Sequence, residues 1–312
     1  MTCHIATVTV NPAIDETIHI DELSPGKVHR AKDARFDVGG KGINVAACLA
    51  DFGLKPVVTG YLGAENTKIF ENVFKARHIV DNFIRRDGLT RTNIKIVDKN
   101  GTTDINLPGA PIDDVMAQKL TQILDKFSTP EWLIVMSGSL APQMPVDYYK
   151  NETERLINKG ARVIVDCSGD ALQALLSSSI LPFVIKPNEY ELSQWAGQTL
   201  KTIDEILPVA RQLNAKGLGI VAVSMGGQGA LFVTKDQALH AHLKIDHVES
   251  TVGAGDAMVA GISAALYENG NLERIARLGT AFAVGKLSQY GPTLPEKNIL
   301  EKLAASVQVK HL

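Results

Sequence analysis

Ser250-Thr251-Val252-Gly253-Ala254-Gly255-Asp256, followed by Ala257-Met258-Val259-Ala260-Gly261-Ile262, joins a glycine turn to a carboxylate at the mouth of an apolar, small-residue run. The run predicts a helix whose N-terminus faces the turn. The two glycines flanking Ala254 let the amides of Gly253, Ala254 and Gly255 converge on an anion. Asp256 falls in the first helical turn, where a carboxylate can take a proton from an attacking hydroxyl while the amides stabilise a phosphoryl group. An aspartate that only caps a helix after a glycine turn has the same local pattern. Other segments of the chain separate the two readings.

From about Pro111 onward, compact apolar runs at 132–136, 162–166, 183–186 and 220–224 alternate with amphipathic helical patterns. That rhythm predicts an α/β fold with a mostly parallel sheet covered by helices. Each run ends in a polar or glycine-rich turn, at Ser137-Gly138-Ser139, Cys167-Ser168-Gly169, Pro187-Asn188-Glu189 and Met225-Gly226-Gly227-Gln228-Gly229. The carboxyl ends of such strands are where ligands bind, so the turns line one functional edge. Nearer the N-terminus, 5–10 reads as a core strand ending at Asn11-Pro12, 43–50 as a helix stopping at Gly53, and 57–62 as a second buried strand. The runs 92–97 and 102–107 are joined by Asp98-Lys99-Asn100-Gly101, whose Asn-Gly signals a hairpin. With the alternating segment 17–20 they predict a small sheet outside the core.

The chain has 312 residues, 45% hydrophobic and 21% charged, with 32 Lys and Arg against 34 Asp and Glu and a formal charge of -2. Disorder and a basic nucleic-acid surface are excluded, and one main domain over 1–312 is expected. No apolar run approaches the ~18 to 20 residues of a membrane span, and the N-terminus shows neither a basic region nor a cleavable hydrophobic segment. A cytoplasmic protein with no membrane contact is expected. Cys3, Cys48 and Cys167 are far apart, without a CxxC pair or histidines at finger spacing, so they read as buried thiols rather than disulfides or zinc ligands.

Val38-Gly39-Gly40-Lys41-Gly42-Ile43-Asn44 is not a Walker loop, because Gly42 follows Lys41 and Arg35 stands where the first glycine belongs. Its glycines instead let a polar ligand approach the backbone, with Asn44 one turn into the helix to bond hydroxyls. Asp15, just after a core strand, suits vicinal sugar hydroxyls, and is equally common as a turn residue. Lys27, His29 and Arg30 on one outer segment and Arg91 with Asn93 on the hairpin offer donors for a phosphate already on a ligand; solvated surface charges are the plain alternative. Asn188 and Glu191, one helical turn apart, suit a water-coordinated Mg²⁺. Ser224 to Gly229 forms a second glycine turn that can pass beneath a nucleotide, without the dinucleotide spacing.

Taken in order, Asn-Pro-Ala-x-Asp, Gly-Gly-Lys-Gly-Ile-Asn-Val, Lys-Pro-Asn-x-x-Glu, Ser-x-Gly-x-x-Gly-Ala and Thr-Val-Gly-Ala-Gly-Asp resemble the ribokinase-like sugar kinases of the phosphofructokinase-B type over nearly the whole chain. The resemblance implies a three-layer α/β/α domain with a small β-sheet lid from about 12–36 and 88–109. It implies that Asp256 is the catalytic base and Gly253, Ala254 and Gly255 the anion hole. Asp15, Gly39, Gly40, Lys41, Asn44, Asn93 and Ser139 would meet the sugar phosphate, with Lys27 and Arg91 on its phosphate. Lys186, Asn188, Ser224, Gly226, Gly227, Gln228, Gly229, Ser250, Thr251 and Gly255 would meet ATP, and Asn188 and Glu191 the Mg²⁺ through water. Gly39 to Asn44 and the lid residues Thr90 to Lys95 with Ile105 to Gly109 are most similar to members that phosphorylate fructose 1-phosphate at C6; those for tagatose 6-phosphate are close behind. Members for fructose 6-phosphate tend to carry glycine at Lys41 and arginine at His29, from which this chain departs. Open lid edges suggest a homodimer. A sugar-phosphate sensor without chemistry is the rival from another class, and one that would tolerate loss of Asp256 or Glu191. A nicotinamide-dependent dehydrogenase lacks its fingerprint after the first strand.

Overall fold

The computed structural model describes residues 3–245, 248–289 and 293–312. Met1 and Thr2, part of the N-terminal stretch read above, lie outside the described residues. Apolar, β-branched runs build a central eleven-stranded sheet. Across it lie Gln308–His311, Ala238–His242, Ala230–Val233, Ile220–Ser224, Val184–Ile185, Arg162–Asp166, Trp132–Ser137, His4–Thr9, Val57–Gly63 and Val80–Asp81; Ile84–Arg86 also pairs with Val57–Gly63. From Ile220–Ser224 to the far edge the pairings are parallel. The near edge is an antiparallel extension that the hydrophobic pattern did not announce, because Ala238–His242 and Gln308–His311 are short and partly polar.

Side chains alternate across the pleat, so each central strand is buried on both faces. Ile134, Met136, Val163, Val165 and Val221 pack with Leu124, Leu156, Leu172, Leu192 and Leu213 from helices on one side. Leu133, Val135, Ile164 and Ala222 pack with Val45, Leu49, Val259, Ile262 and Phe282 on the other. This is the expected three-layer arrangement. The helix Ala254–Tyr267 is buried along its whole length from Asp256 to Leu266. Its small residues permit that: a Cβ on Gly261 would lie 2.4 Å from the carbonyl oxygen of Leu278 in the neighbouring helix Leu272–Leu287. None of the described helices is long and apolar enough to cross a membrane.

A second sheet, in the order Asp33–Gly39, Ala13–His19, Thr92–Asp98, Gly101–Ile105, stands outside the core as the lid. Its strand Asp33–Gly39 runs three residues past the expected bound of 36, and the helix that follows begins at Lys41 rather than Ile43. The hairpin forms, but its turn is centred on Lys99 and Asn100, and Gly101, at φ 140°, opens the next strand. Register puts Asp15, Asp37, Asn93, Thr17, Arg35 and Lys95 on one lid face, and Phe36, Ile94, Ile105, Ile18 and Ile96 on the other.

Candidate active site

Four strand ends and the N-terminus of Ala254–Tyr267 converge at the carboxyl edge of the main sheet. Gly253 takes φ 79° as the cap, which a side chain disfavours, and turns the chain into the helix. The amides of Gly253 and Gly255 meet no acceptor among the described residues, whereas that of Ala254 bends back to the Thr251 carbonyl at 3.5 Å. The expected three-amide cradle is thus two open amides around a weakly engaged third. Ser250 accepts from the Val252 amide and so stiffens the approach, and Thr251 is exposed.

Asp256 is 6% exposed and accepts a hydrogen bond of 2.7 Å from Asn44 Nδ2. Burial pushes its carboxyl up to about 6, with the nearby Lys41 charge pulling the other way. A carboxylate tuned close to neutrality suits a general base. Asn44 can bind it because Gly42 lets the helix Lys41–Asp51 press on the end of the first strand. A Cβ there would lie 2.5 Å from Thr9 Oγ1.

Beside Asp256 lies a charge knot that sequence reasoning missed. Asp166, the last residue of its strand and 1% exposed, meets Lys41 Nζ at 3.1 Å through Oδ2 and Lys186 Nζ at 3.5 Å through Oδ1. Burial opposes ionisation of Asp166, yet Lys186 and Lys41 together hold its carboxyl below the usual carboxylate range. Asp166 in turn drives Lys41 above the ordinary lysine value. Lys186 Nζ sits 3.4 Å from where a Cβ of Gly255 would be, so its charge borders the open amides. The signal available in the sequence was an aspartate closing a central strand.

The side expected to take the sugar is built where the lid joins the core. Asn93 Nδ2 donates to Asp15 at 3.0 Å, and Gly39 is needed because a Cβ would lie 2.9 Å from the Asp15 carboxylate. Asn11, also missed, donates to Ser139 Oγ, the Leu140 carbonyl and the Pro108 carbonyl, tying three loops together. Arg91 gives three N–H groups to the carbonyls of Asn11, Pro12 and Leu107, which leaves part of its fork for an anion. Lys27 is not brought to it. It is exposed in the loop beyond His19, roughly four residues or about 13 Å further along the lid than Asp15. Arg30 is exposed in the same loop, and His29 bonds the backbone of Ser24 there.

Asn188 and Glu191 form a capping box on Glu189–Ala196: Asn188 Oδ1 accepts from the Glu191 amide and Glu191 Oε2 from the Asn188 amide. No cluster of three acidic, histidine or cysteine side chains fit for a metal occurs among the described residues. Among the described residues a closed protein cage for Mg²⁺ is therefore absent, and the second carboxylate oxygen of Glu191 takes no part in the capping box. The turn Gly226–Gln228 is exposed and docked from below, with His240 on the Gln228 carbonyl and His242 on the Gly227 carbonyl. A Cβ on Gly229 would strike the Ala241 carbonyl at 2.3 Å. Ser224 pairs with Asn188 in a β-bridge that links this turn to the capping box. A cleft of about 550 Å³ opens between lid and core, lined by Asp15, Asn44, Ser250, Gly253 and Lys286 among others. Asp256 lies one hydrogen bond behind Asn44 at its floor.

The family model for pfkB family carbohydrate kinases matches residues 8–299. A 1-phosphofructokinase of Xanthomonas campestris pv. campestris is 44% identical over 92% of both chains. One from Rhodobacter capsulatus is 42% identical over 100% of this chain and 99% of its own. The solved phosphofructokinase-2 of Escherichia coli in complex with fructose-6-phosphate superposes with a TM-score of 0.89 at 26% identity, covering 97% of this chain and 98% of that one. With its central sheet between two helix layers, its lid and its buried carboxylate at a glycine turn, the chain belongs to the pfkB family of carbohydrate kinases.

Proposed function

We propose that the protein transfers the γ-phosphoryl group of ATP to the C6 hydroxyl of D-fructose 1-phosphate, giving fructose 1,6-bisphosphate and ADP. The observation that carries the chemistry is Asp256, with its carboxyl raised to about 6, hydrogen-bonded to Asn44 at the mouth of the open Gly253 and Gly255 amides. Its relatives carry the substrate. Asp15, Gly39, Gly40, Asn44 and Asn93 hold the furanose hydroxyls, and Ser139, Lys41 and Arg91 face the phosphate already present. Asp256 accepts the C6 hydroxyl proton as the oxygen attacks. The Gly253 to Gly255 amides and Lys186 stabilise charge on the moving group. Ser224 to Gly229 with Ser250 and Thr251 hold the nucleotide. Magnesium on the β- and γ-phosphates would neutralise part of their charge, oriented by Asn188 and Glu191 through water. The lid excludes water that would otherwise take the phosphoryl group.

A cytoplasmic homodimer through the lid completes the reading. Phe36 is 54% and Ile105 45% exposed on the apolar lid face, and the outer strands have unpaired edges. Lys27, exposed and not among the residues that line its own cleft, would meet a phosphate of a second copy packed lid to lid. The test is ADP-release kinetics with Mg-ATP against fructose 1-phosphate, fructose 6-phosphate and tagatose 6-phosphate. The highest kcat/KM is expected for fructose 1-phosphate. A preference for either competitor moves the substrate while keeping the mechanism, and no turnover with any of them leaves a sensor.

A further inference from the structure

Lys286 stands in the last turn of the helix Leu272–Leu287 and is 4% exposed. Its stem passes under the glycine turn, with Cε 3.4 Å from where a Cβ of Gly253 would be. Its ammonium donates to the Gln289 carbonyl at 3.1 Å and has no carboxylate at ion-pair distance among the described residues. The same side chain lines the cleft beside Asn44 and Ser250. The segment leading to the turn is fixed to this helix end, since the Glu249 and Ser250 amides both donate to the Leu287 carbonyl. Burying an ammonium without a counter-ion is costly, and a helix C-terminus offsets only a small part of that. Burial accordingly pushes the Lys286 ammonium below the ordinary lysine value. A cation kept dry, with spare donors, behind two open amides is matched to an anion that arrives with the ligand.

We infer that Lys286 is a fixed monovalent cation behind the Gly253 turn, positioning the phosphates of the nucleotide by adding its charge to that of the open amides. The inference rests on the kinase reading above. It makes Lys286 a positioning residue on the nucleotide side of the cleft, with no role toward the sugar phosphate.

The test compares wild type with Lys286→Met and Lys286→Ala, using ADP binding by calorimetry and ADP-release kinetics, with thermal unfolding as a folding control. Lys286→Met is expected to lose at least about tenfold in kcat/KM for Mg-ATP and in ADP affinity while the KM for the sugar phosphate stays within about twofold. Ammonium chloride should restore part of the Lys286→Ala loss, relative to sodium chloride at equal ionic strength, and leave wild type unchanged. ADP affinity within about twofold of wild type would overturn the inference, as would a loss confined to the sugar phosphate or no ammonium rescue. ADP binding is read without turnover, so a wild type inactive on every sugar phosphate would sink the kinase reading and still report on Lys286.

Discussion

The charge knot at the sheet edge and the face of the lid carry similar residues in opposite circumstances. In the knot, Asp166 at 1% side-chain exposure is shared by Lys41 and Lys186. On the lid, Arg35 with Asp37 and Lys95 with Asp104 make pairs of comparable length, 2.8 and 3.1 Å, with at least one partner well exposed. Equal geometry does not mean equal energy. Removing one partner from a buried set strands charge in a poor dielectric, whereas water takes over for the lid pairs. The carboxylate is buried where chemistry occurs, and the pairs are solvated where a sugar phosphate has to enter.

The sharpest way to break that contrast is at its centre. Asp256→Asn should cut kcat by about 10³-fold with ligand affinities largely kept, read by steady-state kinetics and calorimetry. The same carboxyl fixes a pH dependence. Its folded value of about 6 lies above the ordinary 3.8, so the native state binds the proton more tightly, and stability contributed by Asp256 is lost as pH rises from about 4 to 6. Asp256→Asn should therefore be more stable than wild type at pH 8, by up to about 2 to 3 kcal/mol, with the gain absent near pH 3. Wild-type kcat/KM should fall about tenfold per pH unit below about 6.

Asp166→Ala leaves the buried Lys186 ammonium and the partly exposed Lys41 ammonium without their carboxylate, and the stranded Lys186 charge should cost about 3 to 5 kcal/mol in urea unfolding. A cost under about 1 kcal/mol would mean that water reaches the knot and that the contrast with the lid is false. Gly39→Ala forces the Asp15 carboxylate aside and should raise the sugar-phosphate KM by about tenfold, with the KM for ATP little changed. Smallest of all, Asp104→Asn should change stability by less than about 1 kcal/mol.

How much of this the sequence carried follows from how local each signal was. The glycine turn, Asp256, the parallel strands and the lid hairpin are written in contiguous residues, and the motif order carried the family. The Asp166 knot joins residues 41, 166 and 186, so nothing in any one segment announced it. Lys27 and Arg91 were grouped because both are basic and both lie on lid segments. Strand direction, invisible in composition, puts them at different ends of the sheet. Asn188 and Glu191 fit two physical patterns at the same spacing, and the capping box is the one made by the chain itself. Lys286 had no motif at all, because its setting comes from a helix end meeting a turn more than thirty residues earlier in the chain.

Gly261 has a consequence for anyone engineering this enzyme. Replacing a helical glycine with alanine is a standard route to a tougher protein, worth up to about 1 kcal/mol where the site has room. Here the added methyl would meet the Leu278 carbonyl at 2.4 Å and wedge two helices apart. Asp256 rides on the same helix, five residues upstream, so a design scored on propensity alone would trade the aim of the base for a nominal gain in heat tolerance.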